Sequence, residues 1–176
     1  MMDGLVDDCM TSIGALLIIY GGFSNVSEYH QYDLLIYNTV SGIWKRYSLP
    51  DEIKNTPLSS SICAVGKLIY LFGGVSREYQ FRETNSLLSF DISSATWEIL
   101  FPHTNDYDQN TPPPMSQNLL LYHDRSLYTL GSNDGNEEFY AMYEFNLKTS
   151  TWSLVPHYGL KPPYNLQIFG TIFKNR

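Results

Sequence analysis

A chain of 176 residues is within the size of one domain and long enough to bury a sizeable core, so a single compact unit is expected. Eleven basic against eighteen acidic residues give a formal charge of -7, which repels phosphate backbones and anionic lipid and points away from nucleic acid and membrane surfaces. A basic peptide or protein segment suits that field better, and the 43% hydrophobic share with 15% aromatic, including 14 Tyr and 9 Phe, favours β-structure.

The first apolar run, Ile13 to Tyr20, follows Asp3, Asp7 and Asp8 with no Lys or Arg before it. It therefore lacks the basic flank of a signal peptide, and it is far too short to span a bilayer. It reads instead as part of two strands: DDCMTSIG, a short turn at Gly14-Ala15, then ALLIIYGG stopping at Gly21-Gly22. A third strand leads from Asp33 to Asn38, a Ser/Thr-rich turn follows, and a short fourth strand runs from Trp44 onward. The same four phrases then recur. SSSICAVG turns at Gly66-Lys67 into KLIYLFGG, and a strand to Asp91 turns into Trp97. SQNLLLYHD turns at Asp124-Arg125 into RSLYTLGS, and a strand to Asn146 turns into Trp152.

The three tryptophans are thus 53 and 55 residues apart, and Asn38, Asp91 and Asn146 each stand six residues before one of them. Proline-bearing linkers at Thr56-Pro57, Thr111 to Pro114 and Lys161 to Pro163 separate the units. The repeats are expected at about 7-49, 59-100 and 116-155 within one region, 1-176. The tail 165-176 reads as the start of a fourth, because Gly170 to Arg176 sits like Leu119 to Arg125.

Four strands, a diglycine and a late Trp in a unit of roughly 50 residues resemble the kelch repeat. The resemblance rests on Gly21, Gly22, Tyr37 and Trp44, then on Gly73, Gly74, Phe90 and Trp97, then on Gly131, Phe145 and Trp152. Ser132 stands where the third unit's second glycine belongs. The resemblance implies an all-β fold: a partial β-propeller of kelch type, with three four-stranded antiparallel blades plus one extra strand. The glycines and tryptophans are read as scaffold, since glycine permits positive φ or close approach and tryptophan wedges between layers and finds a partner for its N–H.

In a four-stranded antiparallel meander with strands a to d, the a-b and c-d turns emerge on one face, and the b-c and d-a connections on the other. The a-b and c-d turns are short, whereas the b-c segments Phe23 to Tyr32, Val75 to Asn85 and Asn133 to Tyr140 and the d-a linkers are long. Long loops on a rigid scaffold are where recognition usually sits, and kelch propellers commonly hold peptide or protein partners there. The candidate binding residues are Tyr29, His30, Tyr79, Arg82, Glu83, Asp134 and Glu138 in the b-c set, and His103, Asp106, Tyr107, Asp108, His157, Tyr158 and Tyr164 in the d-a set. Tyrosine mixed with charge is the composition of an interface.

An enzyme is the alternative, since propellers also carry catalysis of galactose-oxidase-like or sialidase-like kinds. His30, His103, His123 and His157 show no HxH or HExxH spacing, Cys9 and Cys63 match no metal-ligand pattern, and no phosphate loop, GxSxG elbow or sialidase Asp box is present. The acidic stretch Asn133 to Glu138 lacks the alternating ligands of a calcium loop and reads as a solvated turn. No catalytic residue, cofactor or metal is assigned, and the function expected is a protein-interaction scaffold or adaptor. Two cysteines do not make a disulfide framework, so reduced thiols and a cytoplasmic location are expected. Three blades do not close a ring, and the expectation is that this chain is a fragment of a larger propeller or pairs with a second copy of itself.

Overall fold

The computed structural model describes residues 6–24, 29–30, 33–50, 58–76, 82–132, 141–156, 158 and 170, and no helix occurs among them. The first sheet holds β1 (Val6–Ile13), β2 (Leu16–Ser24), β3 (Tyr29–His30), β4 (Leu34–Asn38) and β5 (Ile43–Tyr47), in the order β1-β2-β4-β5 with β3 added to the end of β2. β6 (Ser61–Val65) and β7 (Leu68–Phe72) begin the second, and a two-stranded ribbon of β8 (Val75–Ser76) and β9 (Arg82–Glu83) projects beyond them. β10 (Leu87–Asp91) and β11 (Thr96–Phe101) complete that sheet. The third is β12 (Ser116–His123), β13 (Ser126–Ser132), β14 (Ala141–Asn146) and β15 (Thr151–Val155), in sequence order. All pairings among the described strands are antiparallel, and the inner strand β6 neighbours both β1 and β12. This is the all-β, partial kelch-type propeller that the repeats imply. Of the expected fourth unit at 165-176, only Gly170 lies within the described residues; a Cβ built on it would meet Leu119 Cδ2 of β12 at 2.5 Å.

The short turns follow from side-chain chemistry. Ile13 pairs with Leu16, Val65 with Leu68 and His123 with Ser126, leaving two-residue loops. Such loops match strand twist only with positive φ at the first or both central residues. Gly14 (φ 55) and Gly66 (φ 61) supply it, and in the third unit Asp124 (φ 42) and Arg125 (φ 65) do. Across the outer turns, Asn38 Oδ1 accepts from the amides of Val40 and Ser41, Asp91 Oδ1 from Ser93 and Ser94, and Asn146 Oδ1 from Lys148 and Thr149, at 2.8 to 3.4 Å. Each is an Asx turn, a side chain replacing a backbone acceptor.

Two apolar layers glue the sheets. Between the first and second lie Ile18, Tyr20, Leu34 and Ile36, facing Ile69, Leu71, Leu88 and Phe90. Between the second and third lie Tyr70, Phe72 and Leu87, facing Leu120, Leu127, Tyr143, Phe145 and Trp152. Because side chains alternate along a strand, each sheet gives one set to the preceding neighbour and the next to the following one. The tryptophans point backward: Trp97 Nε1 donates to Ser48 O at 3.1 Å, and Trp152 packs 5.3 Å from Phe72 and 6.2 Å from Phe101. The expectation that each indole finds a partner holds for Trp97, whereas the buried Nε1 of Trp152 has no acceptor among the described residues. Trp44 has no preceding sheet among the described residues; it stacks on Tyr37 at 4.7 Å and stays 45% exposed.

The diglycines sit where the next sheet's chain crosses. Gly73 has φ 68, and a Cβ there would lie 2.5 Å from both Met115 O and Asn118 Nδ2. Gly74, at φ 110, donates its amide to Met115 O at 3.0 Å. In the third unit Gly131 does not take positive φ, and it is close approach to Asn118 Cβ, 2.7 Å from a built Cβ, that excludes a side chain.

Candidate interaction face

The antiparallel order puts the β2-β4, β7-β10 and β13-β14 connections on one end of the sheets, together with the β5-β6 and β11-β12 linkers. The tight two-residue and Asx turns occupy the other end. The face expected to carry recognition is therefore the one bearing all the long connections.

Its best-defined part is the linker 102–115, between the second and third sheets. A run of prolines cannot donate backbone hydrogen bonds, so the carbonyls around it need outside donors. Asn85, wholly buried just before β10, provides one: its Nδ2 donates to Pro112 O at 3.0 Å. Its Oδ1 accepts the Thr104 amide at 2.9 Å and lies 3.1 Å from His103 Nδ1. Farther along, Met115 N donates to Thr84 O, and Glu83 Oε1 accepts from both the amide and the hydroxyl of Ser116, at 2.9 and 2.6 Å. Asp108 Oδ1 accepts from the Asn110 and Thr111 amides and from Thr111 Oγ1, and these hydrogen bonds, the Thr111 hydroxyl first, hold its carboxyl below the usual aspartate range. The linker is pinned at both ends and in the middle, which leaves its outward side chains on a fixed backbone.

Of the residues expected to bind, His103, Asp106, Tyr107 and Asp108 stand exposed on this linker, and Arg82 is exposed on β9 beside it. Tyr107 reaches back toward the third sheet: burial and then its proximity push the Tyr143 phenol up. Glu83 has a structural task, holding the start of β12, and is half-buried. Tyr158 is almost fully exposed. Tyr29 and His30 form β3, paired with Ser24 and Phe23 at the same end. Tyr79, Asp134, Glu138, His157 and Tyr164 lie outside the described residues.

Two residues that sequence reading passed over organise the region. Asn85 is the hub of the linker. Asn118, on β12, accepts through Oδ1 from Ser61 and, at 3.5 Å, from Thr129, while its buried Nδ2 has no partner among the described residues. The proline run at 112–114 was the available sign that a buried donor must lie nearby.

Among the described residues no group of three or more His, Cys, Asp or Glu could hold a metal ion. Burial pushes the Cys63 thiol up to about 11, and burial followed by the Asp8 charge raises Cys9 further, so neither is a thiolate at neutral pH. Both are free of disulfides. No helix among the described residues is long and apolar enough to cross a membrane.

The family model for the KLHDC2/KLHL20/DRC7 kelch-repeats domain matches residues 6–176. An F-box protein of Arabidopsis thaliana is 26% identical over 144 residues, 80% of this chain and 32% of that protein. An F-box/kelch-repeat protein of Arabidopsis thaliana is 29% identical over 121 residues, 68% of this chain and 27% of that protein. The chain therefore spans less than a third of the length of these relatives.

Proposed function

This chain belongs to the kelch-repeat family, and on that premise we propose that it is a non-enzymatic, cytoplasmic protein-binding module that engages a basic partner segment through its long-loop face. The observation that carries the reading is the distribution of charge. The 102–115 linker and the β13-β14 connection hold Asp106, Asp108, Asp134, Glu137 and Glu138 with no Lys or Arg. At the opposite end Lys67 neutralises Asp91 at 2.7 Å, and Lys148 adds a positive charge to the next turn. The other long connections bring Lys54, Arg77, Arg82 and Lys161 as well as further carboxylates, so the face is acidic in excess rather than of one sign. An excess of negative charge favours a partner of the other sign and accelerates its arrival. The kinship with F-box proteins supports an adaptor role, in which one part of a longer protein holds a target.

The same reading holds that further blades complete the ring, from a longer chain or a second copy. The exposed Trp44 marks the flank they would cover, since the equivalent Trp97 and Trp152 pack against a preceding sheet.

The experiment is capture with an array of synthetic peptides, basic and acidic, read at increasing ionic strength. Retention of basic peptides that weakens as salt rises supports the proposal. Preference for acidic peptides, or indifference to salt, overturns the electrostatic part of it.

A further inference from the structure

We infer that His103 is held on this face as the Nδ1–H tautomer, presenting a bare Nε2 as a fixed acceptor for a cationic hydrogen-bond donor on the partner. The acceptor role rests on the basic-partner reading above; the tautomer does not.

The argument starts from Asn85, whose amide orientation its neighbours dictate. The Thr104 backbone N–H can only donate, and it lies 2.9 Å from Oδ1. The Pro112 carbonyl can only accept, and it lies 3.0 Å from Nδ2. Turning the amide over would set N–H against N–H and oxygen against oxygen, losing both bonds inside a wholly buried site. The atom facing His103 Nδ1 at 3.1 Å is therefore an oxygen. An amide oxygen accepts and never donates, so the hydrogen between them belongs to Nδ1.

A neutral imidazole carries one N–H, and fixing it on Nδ1 leaves Nε2 with an unshared pair. His103 is exposed, and Nε2 has no hydrogen-bond partner among the described residues. The ring cannot offer a donor there without becoming an imidazolium. The partner group that fits is thus a donor, and on a linker carrying Asp106 and Asp108 and no basic residue it is an Arg guanidinium or a Lys ammonium.

Ring-nitrogen NMR of the nitrogen-15-labelled chain above neutral pH tests this, with the His103→Leu variant assigning the signal by its loss. A protonated Nδ1 and a bare Nε2 are expected; the reverse pattern, or rapid averaging of the two, overturns the inference. In the same preparations binding of an oligoarginine peptide falls about tenfold in His103→Leu, the low end for a hydrogen bond to a charged group. Unchanged binding would overturn the acceptor role. Failure of the unaltered chain to bind oligoarginine would overturn the basic-partner reading and leave the tautomer standing.

Discussion

The indole N–H of Trp97, on the outer strand of the second sheet, donates at 3.1 Å to the backbone carbonyl of Ser48, one residue beyond the outer strand of the first. Trp152 is more deeply buried, at 8% exposed, yet its N–H meets no acceptor among the described residues. Position in the repeat is the same and the hydrogen-bond outcome is opposite, so the two should respond differently to the same change. Trp97→Phe loses a hydrogen bond worth about 1 kcal/mol and leaves the Ser48 carbonyl to water. Trp152→Phe removes an unsatisfied buried donor whose desolvation cost is about 1–3 kcal/mol, which offsets the lost ring area. Urea unfolding should show the smaller loss for Trp152→Phe despite its greater burial. A larger loss at Trp152 would mean that its N–H has found an acceptor.

Gly73→Ala should destabilise the fold by about 3 kcal/mol or more, combining left-handed backbone strain with the approach of Met115 O and Asn118 Nδ2. Gly42→Ala is the control: its φ is 70, but nothing lies within 4 Å of a built Cβ. The difference between the two in thermal melts isolates the steric part.

How far the sequence could be read depended on whether a contact repeats. Asn38, Asp91 and Asn146 serve their own turns, with amide donors two and three residues away, and so their spacing from each Trp was a direct sign of the turn. The diglycines were legible for the same reason, although the two roles proposed for them separate in the structure: φ and close approach at Gly73, close approach alone at Gly131. Asn85 was not legible. Its partners are 18, 19 and 27 residues away, and the corresponding places in the first and third units hold Tyr32 and Tyr140. A hub present in one unit leaves no periodic trace. The fate of each Trp N–H was equally hidden, because it depends on the backbone of the preceding sheet.

Acid should weaken the fold partly through Asp91. The hydrogen bond from Lys67 first, then the Ser93 and Ser94 amides, lower its pKa below the ordinary 3.8, so the unfolded chain binds a proton more readily. The stabilisation is fully present above that ordinary value and is lost as pH falls through the lowered folded value. Asp91→Asn keeps the turn's acceptor and removes the titration. Its melting temperature should vary less with pH below 4. Identical acid limbs for the two proteins would assign the loss to other carboxylates, such as Asp108.

The open flank of the first sheet makes the last prediction. Met10 pairs with Ile19 and Trp44 with Tyr37, which places them where Ile62 and Trp97 stand in the second sheet and Leu120 and Trp152 in the third. Those counterparts belong to the buried layers, whereas Met10 is 56% and Trp44 45% exposed. An apolar face that is covered twice in the same chain and uncovered once promotes association when the chain is alone. Light scattering of the purified chain should show mass rising with concentration, and Met10→Ser with Trp44→Ser should suppress it while shifting the melting temperature little, since neither side chain is deeply packed. A defined dimer would show a second copy seated on the flank, and indefinite growth would show a face awaiting a blade that this chain does not supply. A monomer at every concentration would mean that the flank is already satisfied.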